Sequence, residues 1–194
     1  MPFYPPAVQK RFDSPQCVGI VNSANAEGRS ASFQCGSFVA FSLRIDAESK
    51  TVSDASFRSN GCGYMIASAD VLAELVMGRQ LSELHGLNDG DLNSKIDNTL
   101  FSFPNERRQC VSVCIEALRQ AFADFRVRQI EEFRGEKALV CTCFGVTEET
   151  IETHIREGSV KTVDEVSRIC SAGSGCGSCR MLIQEMIDIR SKEI

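Results

Sequence analysis

The chain has 194 residues, 43% apolar and 24% charged, enough for one large or two small domains that each bury a core. Its net charge of −5 gives no basic surface for nucleic acid or an anionic membrane, and no apolar run approaches the ~20 residues that span a bilayer. The opening Met1-Pro2-Phe3-Tyr4-Pro5-Pro6 has neither a basic start nor an apolar stretch, so no signal peptide is expected and a cytoplasmic location is. In that reducing compartment the ten cysteines are read as metal ligands or reactive thiols, not as a disulfide framework.

Residues 4–12 carry the pattern of a short amphipathic helix, stopped near Asp13-Ser14-Pro15, and 17–29 reads as a surface loop. The period then becomes two: Val39, Phe41, Leu43 and Ile45 form one apolar face of a strand. A polar turn at 46–50 leads to a second strand over 51–59, with Ala55 and Phe57 pointing one way, and a third strand is expected around 30–34. After Gly61-Cys62-Gly63 the pattern turns helical over 64–77, with Ile66, Ala69, Leu72, Ala73 and Val76 as its stripe and Gly78 as its stop. Short helices are expected at 81–85 and 91–98. A long one follows Pro104 to about 129, carrying Val113, Ala117, Phe122 and Phe125.

The charged segment 131–138 is read as a linker between a first domain, 1–130, and a second, 139–194. The second begins Val140-Cys141-Thr142-Cys143-Phe144-Gly145 and continues as three short helices: Thr147 caps the first, Thr162 to Glu165 is a capping box for the second, and the third runs to about 190. The expected class is therefore α+β: a small antiparallel sheet packed by helices, followed by a small all-α module whose slight core a bound metal would supplement.

Two close cysteine pairs, Cys141/Cys143 and Cys176/Cys179, make a four-thiolate site suited to tetrahedral zinc or to an iron–sulfur cluster. The small residues of Gly173-Ser174-Gly175-Cys176-Gly177-Ser178-Cys179 let backbone N–H groups approach sulfur acceptors, which favours the cluster. With no lysine after it, this loop is not a phosphate loop. Upstream, Cys35 precedes Gly36, Cys62 stands between two glycines just before a helix, and Cys110 lies in the first turns of another. Helix N-termini favour thiolates at Cys62 and Cys110, and Gly36 leaves access beside Cys35, so these three are candidates for metal binding or sulfur chemistry; the alternative is that each is an inert buried thiol. Cys17, Cys170, His85 and His154 have no partner at ligand spacing.

Cys35-Gly36, the run Phe57-Arg58-Ser59-Asn60-Gly61-Cys62-Gly63-Tyr64-Met65-Ile66-Ala67-Ser68, and Gln109-Cys110-Val111-Ser112 resemble the three-cysteine signature of the NifU/IscU scaffold family. The second domain is similar to the bacterioferritin-associated-ferredoxin type of [2Fe-2S] domain, through Phe144-Gly145-Val146-Thr147 and Ala172 to Cys179. The resemblance implies a non-enzymatic, homodimeric scaffold. Cys35, Cys62 and Cys110 would build a transient iron–sulfur cluster, with sulfur from a cysteine desulfurase and iron from a donor, and pass it to apo iron–sulfur proteins. Cys141, Cys143, Cys176 and Cys179 would hold a permanent [2Fe-2S] cluster. The further C-x-x-C domain frequent in such proteins is expected to be absent. Phe103-Pro104 and Arg107 are what this chain has of the family's chaperone-contact segment.

Ser37 and Gln109 stand where the family has aspartate and histidine, candidate fourth ligands. Cys114, one turn after Cys110, is either the substitute ligand or a residue of the helix core. Two further readings follow: an electron-transfer or regulatory [2Fe-2S] protein whose first domain serves docking, and a protein holding zinc structurally at either cysteine set.

Overall fold

The computed structural model describes residues 3–85, 87–101, 103–132, 138–158 and 160–191. The chain divides into two compact units, Met1–Phe125 and Arg126–Ile194. The expected linker at 131–138 lies mostly on residues 133–137, outside the described ones.

The first unit is built on an antiparallel sheet in the order β1 (Ala26–Ala31), β2 (Phe38–Ile45), β3 (Val52–Ser59). Val39, Phe41, Leu43 and Ile45 are all buried, as the alternation requires. The third strand begins four residues earlier than expected, so it takes the end of what the composition suggested was loop. Its small residues have a packing reason: Gly28 pairs with Phe41, and a Cβ at Gly28 would collide with the backbone of Ala117 and Ala121. On β3, both Val52 and Ala55 face inward despite odd spacing, because the β2–β3 register shifts between Arg44 and Ile45 and turns Val52 back to the core.

Around the sheet lie α1 (Pro6–Asp13), α2 (Gly63–Val76), α3 (Leu81–His85), α4 (Asp89–Leu100) and α5 (Arg108–Glu132), the last entered through a 3-10 turn at Asn105–Arg107. The single stripe expected on α2 is too narrow. Met65, Ala67, Ser68, Asp70 and Val71 are buried as well, whereas Ile66 is only half-buried. The helix packs on α1, α4 and β3, which leaves little of its surface for water. The apolar seam of α5 is Cys110, Val111, Cys114, Ile115, Ala117, Leu118, Ala121 and Phe125, while Val113 and Phe122 are only half-buried. Asn88 and Asp91 close a capping box on α4, three residues upstream of the expected start.

Asp70 is fully buried on α2 and ties the N-terminal segment to it. It accepts the Gln16 and Cys17 amides at 2.7 and 2.9 Å and pairs with Arg11, which also reaches Glu74. A buried carboxylate with three donors is a satisfied one.

The second unit is not all-α. β4 (Leu139–Cys141) and β5 (Val146–Thr147) form a small antiparallel hairpin, turned at Gly145 with φ +64°. Its helices are α6 (Glu148–Arg156), α7 (Val163–Cys170) and α8 (Arg180–Ser191). Thr147 caps α6, and Thr162 with Glu165 forms both bonds of the capping box on α7. Phe144, Val146, Ile151, Val163, Val166, Ile183 and Ile187 make the core. Among the described residues, no helix is long and apolar enough to cross a membrane.

Candidate functional site

In the first unit the packing of α5 on α2 sets two cysteines face to face. The Cys114 thiol meets the Met65 carbonyl at 3.5 Å; one turn back along both helices, Cys62 Sγ and Cys110 Sγ lie 3.9 Å apart. Cys62 is the N-cap residue of α2, extended at φ −69°, ψ 171°, and half-exposed; Cys110 is buried, 3% exposed.

The two thiols share one proton unequally. A hydrogen bond from Cys110 draws Cys62 down to about 5, against the cost of burial, with help from the Tyr64 and Met65 amides and from Arg107. Cys110 is pushed far above the ordinary thiol value by that same bond and by burial. The thiolate therefore sits on Cys62, at the positive end of a helix. Arg108 pairs with Asp97 at 2.7 Å and lies 5.4 Å over the Phe103 ring.

The glycines flanking Cys62 serve packing rather than open access. A Cβ at Gly63 would enter the Tyr4 ring, and one at Gly61 would strike the Met65 side chain. Tyr4 also accepts the Gly63 amide at 3.0 Å and stacks edge-on against Tyr64, so the N-terminal segment is fitted to the Cys62 corner. Nothing in the sequence spacing marked Tyr4.

Cys35 stands fully exposed in the turn between β1 and β2, where Gly36 takes φ +69°. The Ser32 and Ser37 hydroxyls hold its pKa below the ordinary value. Phe38 donates its amide to Asn60 Oδ1 at 2.8 Å, which moors the turn beside the strand end leading to Cys62. Cys114 is completely buried and its thiol is pushed well up by desolvation, which is the behaviour of a core residue. Cys17 is likewise buried and raised to about 11, first by desolvation. Among the described residues no group of three or more His, Cys, Asp or Glu side chains is arranged to hold a metal ion. The structure thus pairs Cys62 with Cys110 and leaves Cys35 on its own turn.

In the second unit the hairpin carries Cys141 and Cys143, and the 171–179 loop carries Cys176 and Cys179. Cys143 Sγ lies 3.4 Å from Cys176 Sγ. Buried Cys179 is raised to about 11 by desolvation and by the neighbouring Cys141 thiol. Burial also raises Cys143, on which Cys176 and Cys141 both act. Exposed Cys176 goes the other way, to about 7, because the Ser178 hydroxyl, 3.3 Å from its sulfur, and the Ser178 amide favour the thiolate. Gly173 and Gly177 make the loop's tight turns at φ +84° and +78°. Gly175 is there for space: its Cβ would lie 3.0 Å from both Cys143 Cβ and the Phe144 ring, and 3.1 Å from Cys143 Sγ. The two turns carry four soft sulfur donors of the kind an iron–sulfur cluster uses, but among the described residues these four are not gathered into a ready ligand set either. Cys170 stands outside this group, its thiol on the Val166 carbonyl at 3.3 Å.

The NifU-like N-terminal domain matches residues 3–132. The chain belongs to that family. The BFD-like [2Fe-2S] binding domain matches 139–189, so the NifU-like unit is followed by a module of a cluster-binding type. Among NifU relatives, the nitrogen fixation protein NifU of Azotobacter chroococcum mcd 1 is 30% identical over 184 residues, 95% of this chain and 58% of the relative. The iron-sulfur cluster assembly scaffold protein IscU of Aquifex aeolicus is 26% identical over 126 residues, 65% of this chain and 78% of the relative. The chain spans 58–63% of the length of the full NifU relatives it matches. The crystal structure of the N-terminal part of a nitrogen-fixing NifU-like protein from Brucella abortus covers 63% of this chain and 94% of its own, with a TM-score of 0.51 at 16% identity; that likeness concerns the fold.

Proposed function

We propose that this NifU-like chain is a non-enzymatic iron–sulfur cluster scaffold that takes sulfur from a cysteine desulfurase, assembles a transient cluster on Cys35, Cys62 and Cys110, and yields it to apo-proteins. The relatives named for nitrogen fixation and for cluster assembly support this reading. The observation that carries it is the Cys62–Cys110 pair, a thiolate at a helix N-terminus set 3.9 Å from a second sulfur, with Cys35 exposed on the neighbouring turn. Cys141, Cys143, Cys176 and Cys179 would hold a resident [2Fe-2S] cluster, supported by the BFD-like match and by the close approach of the 171–179 loop to Cys143 at Gly175. Such a cluster, when bound, supplies one-electron redox capacity. The chain's own part is to seat it: the Ser178 hydroxyl favours the Cys176 thiolate, and Phe144, next to Cys143, is buried in the unit's core.

Iron, sulfide and zinc per chain, measured anaerobically before and after incubation with a cysteine desulfurase, cysteine and ferrous iron, test this. A second, chelator-labile cluster is expected in the wild type and not in Cys62→Ser. Equal gain in both defeats the scaffold reading, and a colourless, zinc-loaded, iron-free protein defeats both cluster assignments.

A second reading, an electron-transfer or regulatory protein whose first unit serves docking, is favoured by one observation. Among the described residues no third ligand joins Cys62 and Cys110, and Ser37 and Gln109 are poor substitutes for metal-binding side chains. It expects a single stable redox-active cluster and no transfer to an apo-ferredoxin.

A further inference from the structure

The Cys62–Cys110 pair has the asymmetry of a dithiol that does redox chemistry, beyond what a pair of ligands requires. One sulfur is reachable and the other is not: Cys62 is half-exposed at the start of α2, and Cys110 is 3% exposed inside the α2–α5 seam. The two are held opposite each other by the same helix register that sets Cys114 on Met65. From 3.9 Å, side-chain rotation has to close about 2 Å to reach disulfide bonding distance. A bulky sulfur donor can reach Cys62 but not Cys110, which fixes the order of events: Cys62 attacks first and Cys110 resolves.

We propose that Cys62 and Cys110 form a dithiol–disulfide couple that reduces the sulfane sulfur of a persulfide to hydrosulfide. It rests on the scaffold reading only for the class of substrate; the couple itself is read from the side-chain geometry. The Cys62 thiolate attacks the outer sulfur of a persulfide R–S–SH, forming Cys62–S–SH and releasing RS⁻. Cys110 then gives up its proton and its sulfur attacks the Cys62 Sγ of that persulfide. The Sγ–SH bond breaks, HS⁻ leaves with the bonding pair through the exposed side of Cys62, and a Cys62–Cys110 disulfide remains. Together, two thiols and one persulfide give one disulfide, one thiol RSH and one hydrogen sulfide. The two electrons that take sulfur from the sulfane to the sulfide level come from the two cysteines, and a low-molecular-weight dithiol returns them in the next turnover. Joined as a disulfide, the two sulfurs are not thiolate ligands, so sulfide release and iron holding alternate on the same pair.

The test uses the full chain, reduced with a dithiol, desalted without oxygen into iron-free buffer and mixed with glutathione persulfide. Sulfide is trapped at neutral pH as its bimane adduct, so that acid-labile cluster sulfide is not counted, and thiols are mapped by peptide mass spectrometry. The expected result is about one sulfide per chain in the first turnover, with Cys62 and Cys110 joined as the dominant disulfide. Cys110→Ala is expected to stop at a Cys62 peptide heavier by one sulfur, with sulfide release at least about tenfold slower, and Cys62→Ser to do neither. Sulfide release at the wild-type rate from Cys110→Ala, or a wild-type disulfide that joins Cys62 to Cys35, overturns the proposal. The wild-type mapping decides even where a variant fails to fold. Build-up of the second, chelator-labile cluster from ferrous iron and inorganic sulfide on the same preparation bypasses the couple. A cluster there without a Cys62–Cys110 disulfide sinks the couple alone, and the disulfide without a cluster sinks the scaffold reading alone.

Discussion

Cys62 and Cys114 both lie on the α2–α5 seam, yet their surroundings send them in opposite directions. Cys62 has a thiol donor, two facing amides and Arg107, which draw it to about 5; Cys114 has only desolvation, which drives it up. Since the lowered value puts Cys62 in its reactive form from about pH 5 upward, iodoacetamide should label it fast at pH 6.5 and leave Cys114 unlabelled. Removing the donor in Cys110→Ala takes away the largest cause of the depression. The inflection of the rate against pH should then move upward, and labelling at pH 6.5 should slow by about tenfold or more. Peptide-resolved labelling across pH 5–9 measures this, and a wild-type inflection at the ordinary thiol value would contradict the shared proton. In the second unit Gly175 makes an equally local case. Its backbone suits any L-residue, so Gly175→Ala acts through space alone, pressing on Cys143 and Phe144. Iron should pass to a chelator about tenfold faster, followed by visible absorbance, with the far-ultraviolet circular dichroism unchanged. The cysteines themselves were legible from spacing, because ligand-bearing turns need small residues beside sulfur. The low pKa of Cys62 was legible from its place before a helix, but the same expectation fails for Cys110, whose thiol is raised by burial and by a neighbour 48 positions away.

At the level of elements, alternation and capping residues carried most of the reading, and close approach between elements carried the rest out of sight. Val39, Phe41, Leu43 and Ile45 announce β2 because one face of a strand must be apolar, and Thr162 with Glu165 announces α7 because both orphan amides need acceptors. The start of β1 is hidden in the sequence because Ala26, Glu27 and Gly28 have weak strand preference by themselves; what makes them a strand is pairing with β2 and a helix backbone pressed against Gly28. Gly28→Ala should therefore destabilise the first unit by about 3 kcal/mol, because the new methyl meets backbone rather than a movable side-chain tip. A urea titration followed by Tyr fluorescence measures it; a midpoint equal to wild type would mean that β1 does not rest on α5. In α7 the relevant carboxylates are Asp164, lowered first by its bond to Arg180, and Glu165, lowered first by the Lys161 amide. Both are more acidic folded than unfolded, so their contribution is present above the ordinary carboxylate range and is lost as pH falls through the lowered folded values. Heat denaturation of the second unit should hold level from pH 7 to about 5 and decline below about 4. Asp164 is exposed and Glu165 is not buried, so the decline should be shallow and weaker still at high salt.

For the whole molecule, the α+β class and the order of a sheet-bearing unit before a helical one follow from where the period changes from two to 3.6. The β4–β5 hairpin did not follow, because two paired residues on one side are too few to show alternation. What the division at Phe125/Arg126 adds is a separation of chemistry. Cys35, Cys62 and Cys110 belong to one compact unit, and Cys141, Cys143, Cys176 and Cys179 to the other; the helix α5 carries the boundary within its own length. Sites that share no side chain should lose metal independently. Cys62→Ser is thus expected to keep the chelator-resistant colour of the second unit, and Cys176→Ser to lose that colour while retaining fast labelling of Cys62 at pH 6.5. The double variant should show the two losses added, with no further effect on either readout. Visible absorbance during chelation, together with peptide-resolved labelling on all four proteins, completes the cycle. If Cys62→Ser bleaches the resistant colour, a ligand crosses from one unit to the other, and the assignment of four cysteines to a self-contained second site fails.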